Sequence, residues 1–199
     1  MKLMKLRIAT GLGLLLFMAA MIGGPAGVTQ AQDDGGITLA SLAGNFAGRG
    51  SGFLTICFSA GVPISCSSVS ATPVPYNFTD ILQTTRDAAG NSCGVSTSTF
   101  APVSGTKFPA LVSTRITLSI PVSFDPATGS GTASFKDYVG GSCNGAVFDG
   151  TGTLAGTGTH SFFLSNSGNR IERITTSFSV VAGTVKGFVF SATFIRQSD

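Results

Sequence analysis

From Leu111 to Phe124 the chain alternates residue by residue. Val112, Thr114, Ile116, Leu118, Ile120, Val122 and Phe124 fall on one parity. Ser113, Arg115, Thr117, Ser119, Pro121 and Ser123 fall on the other. Period-two alternation of this length predicts a strand with one dry and one wet face, and the first set is expected to be the dry one. Pro121 has no N–H to give to a ladder, so an edge or a bulge is expected there. Val185 to Gln197 repeats the pattern, with Phe188, Phe190, Ala192 and Phe194 on one face and Lys186 and Arg196 at its ends. From Asn45 onward Phe46, Gly48, Gly50, Gly52, Leu54, Ile56 and Phe58 share a face. The alternate glycines there are expected to admit a close neighbour or a sharp bend.

Weaker strands are read at Tyr76–Arg86, Ser92–Pro102, Ser130–Tyr138, Ala146–Leu154, His160–Ser165 and Arg170–Val181. Asp87-Ala88-Ala89-Gly90-Asn91, Asp125-Pro126-Ala127-Thr128-Gly129 and Asn166-Ser167-Gly168-Asn169 separate them. Each sets Asp or Asn ahead of a glycine able to take positive φ, which is hairpin chemistry. Gly90, Gly129 and Gly168 are evenly spaced, 39 residues apart. That spacing suits a repeating hairpin unit, and suits coincidence equally well in a Gly-rich chain. The strands are joined by short links with no helices between them, so parallel crossover units are not expected. The expected fold is all-β: an antiparallel up-and-down β-barrel of about eight strands, which leaves no open edge. A two-sheet β-sandwich satisfies the same pattern.

The first thirty-one residues differ in kind. Lys2, Lys5 and Arg7 precede an apolar run from Ile8 to Ile22, and Thr29-Gln30-Ala31 offers small residues at its exit. This is the layout of a secretory signal peptide, with cleavage expected near Ala31 and a secreted or periplasmic product. The expected organisation is residues 1–31 as leader, 32–43 as a flexible lead-in with a short helix at Thr38–Ala43, and 44–199 as one β-domain. All four Met residues lie in the leader, and so does the net charge of +3, since nine basic and nine acidic residues remain beyond it. A neutral exported domain lacks the clustered Lys and Arg that nucleic acid demands. Once the leader is removed, no stable membrane insertion is expected. An eight-stranded outer-membrane barrel would need aromatic girdles, for which only Tyr76 and Tyr138 are at hand. The fifteen Phe residues beyond the leader are the main hydrophobic mass; without them the Gly and Ser content would suit disorder.

Cys57, Cys66, Cys93 and Cys143 make an even set in an oxidising compartment, which implies two disulfides with three possible pairings. Cys57 and Cys66 flank a turn-rich segment. Cys93 and Cys143 sit in similar loop-like settings, Asn91-Ser92-Cys93-Gly94 and Gly141-Ser142-Cys143-Asn144. These contexts favour Cys57–Cys66 and Cys93–Cys143. With no C-x-x-C and no nearby His, a metal site is disfavoured.

Three stretches carry a resemblance: Leu42-Ala43-Gly44-Asn45-Phe46 at the start of the domain, Thr84 to Asn91 at a hairpin, and Gly187 to Gln197 at the end. Together they resemble secreted bacterial proteins with a lipocalin-like or allene-oxide-cyclase-like β-barrel. Lipocalins carry G-x-W in the first strand, whereas Phe46 stands in that place here. The resemblance implies the barrel and carries over no catalytic residue.

Candidate chemistry is sparse. His160 is the one histidine; a triad would have to use it with Ser161 and with Asp149 or Asp80, but no G-x-S-x-G elbow is present, and a surface histidine is expected. Glu172, flanked by Arg170 and Arg173, is expected to form a cross-strand salt bridge rather than half of a carboxylate pair with Asp80, Asp137 or Asp149. Gly150 to Thr153 lacks the Lys and the helix of a phosphate loop. No cofactor is called for. Phe188, Phe190, Phe194, Ile116, Leu118 and Ile120 are the candidate apolar face, which either fills the barrel or lines a site for a small apolar molecule. The leading expectation is a secreted non-enzymatic barrel binding such a molecule. The alternatives are a cyclase- or isomerase-like barrel enzyme, which a charged residue such as Arg49 or Glu172 inside the barrel would favour, and a cell-surface or matrix component.

Overall fold

The computed structural model describes residues 37–103, 107–165 and 167–198; the leader reading lies outside them. The strands are β1 (Gly44–Ser59), β2 (Val62–Pro63), β3 (Thr72–Arg86), β4 (Ser92–Pro102), β5 (Leu111–Asp125), β6 (Ser130–Val139), β7 (Cys143–Asn144), β8 (Val147–Phe148), β9 (Thr153–Leu164), β10 (Arg170–Val180) and β11 (Val185–Arg196). Eight of them are long and follow one another around a ring, β1-β3-β4-β5-β6-β9-β10-β11. The ring closes because β11 pairs back onto β1, with Phe46 opposite Arg196 and Gly52 opposite Phe190. Every pairing is antiparallel. The fold is therefore the closed up-and-down barrel rather than the sandwich. Little β2 extends the end of β1, and β7 and β8 form a separate outer hairpin.

One end is plugged. A 3-10 turn at Leu39–Leu42 lies across it, and Leu42 is buried with Phe46, Leu164, Ile171 and Phe194. The plug rests on the three evenly spaced turn glycines. A Cβ added at Gly90 would meet Leu39, one at Gly129 would meet Ile37, and one at Gly168 would meet Ser41. All three glycines have positive φ. The thirty-nine-residue spacing is thus one excursion up and down the barrel, returning each time to the plugged end. Arg196 fastens the plug from β11, donating to the Ala43, Ser41 and Gly168 carbonyls.

The inner face of β1 is as expected, and the reason for its glycines is now visible. The rings of Phe194, Phe190 and Phe78 lie across Gly48, Gly50 and Gly52, in the space that side chains would fill. At Gly52 a Cβ would also strike the Val189 carbonyl of β11. Gly52→Ala is expected to cost about 1–3 kcal/mol through overpacking, read as a lower urea midpoint. An unchanged midpoint would mean that the seam between β1 and β11 does not need the glycine.

The face assignment for β5 is the reverse of the expectation. Ser113, Arg115 and Thr117 line the interior and Ser119 is buried, whereas Val112, Ile120 and Val122 are exposed outside. Two features explain it. The wall opposite this stretch is polar, so hydroxyls and a guanidinium find partners inside. On the outside, the β7–β8 hairpin is tied to β4 by Cys93–Cys143 and sets Phe148 against Tyr138 at 4.4 Å. Ile116 pairs with Tyr138 there and is buried although it points outward. Pro121 does mark a bulge: the register shifts between Pro121 and Ser123, and beyond it Phe124 turns inward onto Phe162.

Both favoured disulfides are present, Cys57–Cys66 and Cys93–Cys143. Each is expected to add about 2–4 kcal/mol, chiefly by restricting the unfolded chain. They fit an extracytoplasmic location. The Cys57–Cys66 loop is stitched to the β10–β11 turn, since Cys57 and Cys66 N–H groups donate to the Thr184 and Gly183 carbonyls. It forms the rim of the end opposite the plug.

Candidate functional site

Toward that rim the interior is not filled. A partly open cavity of about 290 Å³ lies there, close to the lower end of the roughly 300–1,000 Å³ usual for small-molecule sites. Its upper wall is apolar: Leu54, Ile56, Phe78, Phe100, Phe178, Val185, Phe188 and Phe190. The rings form a continuous stack, with Phe188 4.4 Å from Phe178 and 5.4 Å from Phe78. Phe178 reaches the inside because β10 shifts register between Thr175 and Ser177, which also explains the poor alternation of that stretch in the sequence.

The rest of the lining is charged. Asp80, Asp137, Arg115 and Arg173 face the cavity, among Ser96, Ser98, Thr117 and Thr175. Asp80 accepts hydrogen bonds from Ser96 Oγ (2.9 Å) and Ser98 Oγ (3.2 Å). Asp137 accepts from Thr117 Oγ1 (2.7 Å) and lies 3.8 Å from Arg115 Nη1. Burial pushes both carboxyls above their ordinary range, against the pull of those hydroxyls and of Arg173. For Asp137, Arg115 also pulls the other way. Asp80 is raised a little further by the negative charge of Asp137.

Beneath them, toward the plug, Arg173 stands over the rings of Phe190 (5.3 Å) and Phe194 (4.9 Å). Arg86 stands 6.0 Å from the rings of Phe46 and Phe194. Such stacking offers a guanidinium attraction where water is absent. Burial lowers both arginines to about 10; the two carboxylates partly offset this for Arg173, while Arg173 itself adds to it for Arg86. Both remain charged at neutral pH. Nε of each arginine lacks a hydrogen-bond partner.

His160 is not on the surface as expected. It is 1% exposed, points into the barrel, and stacks on Phe135 at 5.7 Å. Its Nε2 lies 3.4 Å from Ser119 Oγ, and Nδ1 has no partner. Burial, reinforced by Arg173 and Arg86, drives its pKa down to about 2, so it is neutral. No triad assembles. Ser161 takes the opposite strand parity and lies outside, and Asp149 is spent on Ser142 and Thr151 in an exposed turn. Glu172 also lies outside. Its ion pair runs along the strand to Arg170, with Thr193 of β11 donating across to it, while Arg173 points inward instead. Arg49 is exposed.

Of the six residues read as an apolar face, Phe188 and Phe190 line the cavity. Phe194 is buried in the core below it. Ile116, Leu118 and Ile120 lie on the outer side of β5 and do not join them. The interior charges went unread, although a signal was present. Asp80 shares parity with Tyr76, Phe78 and Leu82, Asp137 with Phe135, and Arg173 with Ile171. A charge in step with inward aromatic or aliphatic residues is a charge inside.

Among the described residues no group of three His, Cys, Asp or Glu side chains is placed to hold a metal ion, and no helix is long and apolar enough to cross a membrane. Comparison with protein-family models, with curated proteins and with solved structures finds no match. The class is therefore set by the fold itself: an antiparallel β-barrel plugged at one end and hollow toward the other.

Proposed function

We propose that this chain is an exported, secreted or periplasmic, non-enzymatic barrel that binds a small, mainly apolar molecule in its interior. The observation that carries the reading is the cavity of about 290 Å³ beneath the rim, walled by stacked Phe rings. A plain core would close such a space, because protein interiors pack to crystal-like density. The cavity lining reaches Pro63 and Thr184 beside the Cys57–Cys66 rim, and the lipocalin-like resemblance of the sequence agrees. The test is titration of the oxidised protein with the neutral fluorophore N-phenyl-1-naphthylamine. Saturable one-to-one enhancement is expected, and Val185→Trp, which fills the rim side of the cavity, should abolish it while leaving the circular dichroism unchanged. Equal enhancement in both proteins would place the probe elsewhere and sink the proposal.

One observation favours a second reading, a cyclase- or isomerase-like enzyme. Two carboxyls of raised pKa face an apolar cavity, and a protonated carboxyl in such a place is a competent general acid. Under this reading Asp80→Asn abolishes turnover of a bound epoxide or polyene and leaves its binding intact. Turnover unchanged by that substitution refutes the second reading alone.

A further inference from the structure

We propose that the ligand's polar end is a monoanion, a carboxylate on a short apolar chain, and that Arg173 receives it with Arg115 at its side. This rests on the reading of the cavity as a ligand site and adds the chemistry of the ligand's head. The first argument is charge. The cavity and the space just below it hold the guanidinium groups of Arg86, Arg115 and Arg173 and the carboxyl groups of Asp80 and Asp137, so cations outnumber acids there even with both acids ionised. His160, held neutral, does not change the sum. A buried charge without a counter-charge is costly, and an anion offsets the excess of guanidinium groups.

The second argument is hydrogen bonding. Asp80 is engaged by Ser96 and Ser98, and Asp137 by Thr117 and Arg115. Neither carboxylate lies within salt-bridge distance of Arg173, whose Nε is unpartnered. The rings of Phe190 and Phe194 satisfy the guanidinium's faces, but its N–H groups point in its plane and need oxygen. A carboxylate offers two acceptors in the matching planar geometry. A dianion such as a phosphate monoester would set two negative charges beside Asp80 and Asp137, and an amine would meet guanidinium groups. Above Arg173 the wall turns to Phe78, Phe188, Leu54 and Ile56, which suits hydrocarbon. The volume equals that of about ten waters, which limits the chain to a short one.

The experiment is calorimetric titration of the intact, oxidised protein at neutral pH with four probes of equal chain length: octanoate, octanol, octylamine and octyl phosphate. Octanoate is expected to bind at least about tenfold tighter than octanol, with the amine and the phosphate weaker still. Arg173→Met and Arg115→Gln should each lower octanoate affinity toward that of octanol and leave octanol affinity unchanged. Octanol binding reports that the cavity of each variant is intact, and Arg115, nearer the rim, is the safer change for folding. Octanol binding as tightly as octanoate, or octylamine or octyl phosphate binding tightest, overturns the monoanion inference and leaves the cavity reading standing. If none of the four probes nor the neutral fluorophore binds, both fall.

Discussion

Replacing Phe194 with alanine is expected to remove about 3–5 kcal/mol of stability, the range for losing a large buried ring. The ring is 1% exposed and belongs to three contacts at once. It occupies the space over Gly48, where a Cβ would come within 2.7 Å of its Cδ1. It also supports the guanidinium groups of Arg86 at 6.0 Å and Arg173 at 4.9 Å. Its loss leaves a void on the Gly48 side and uncovers two buried cations, and Gly48, the residue opposite it on β1, has no side chain to fill the gap. Since domains of this size are stable by about 5–15 kcal/mol, urea unfolding at 25 °C should show much of the margin gone. Ile195→Ala, one residue away on the half-exposed outer face, is the control and should fall within about 1 kcal/mol of the parent. A Phe194 variant as stable as that control would show that the floor of the cavity is not held in this way.

The second large effect is in acid. His160 takes up its proton near pH 6.5 when unfolded and only near 2 when folded. Its folded pKa lies below the unfolded one, so its contribution is complete above pH 6.5 and is lost as the pH falls toward 2. At pH 4 the loss is about 3 kcal/mol, at 1.36 kcal/mol for each pH unit below 6.5. Asp80 and Asp137 act in the opposite sense. Their raised pKa values make the folded state the better proton binder, so acid favours it through them. The net slope mixes the two, and the variant separates them. Between pH 7 and pH 4, His160→Gln is expected to lose about 3 kcal/mol less than the parent, because the aspartates contribute to both. Parallel losses in the two proteins would mean that the imidazole reaches water before the fold opens.

The strands were legible because alternation is a property of the backbone. In β11, and in β1 apart from Phe53, one parity gathers the benzyl groups, and the closed ring places those faces as read. The β5 strand was misread because the rule used was that apolar faces turn inward. Here a polar lining and an external hairpin reversed it. The hairpin could not be foreseen from β7 and β8, which are two residues each and owe their place to the Cys93–Cys143 bond. The bulges at Pro121–Ser123 and Thr175–Ser177 flip parity midway, and of these only the proline left a mark in the sequence. The charged site is within reach of the sequence, but it shows only when Asp80, Asp137 and Arg173 are read by the company they keep along their own strands, not when the two aspartates are set against His160 or Glu172 and Arg173 against its neighbour Glu172.

The ring closure has a practical corollary. Because β11 returns to β1, Asn45 and Gln197 are hydrogen-bonded neighbours, with the Gln197 N–H donating to the Asn45 carbonyl at 2.8 Å, and both lie beside the plug. A fusion partner, resin or surface tether attached after Ser198 would hold the molecule by its sealed base, leaving the doorway facing the solution.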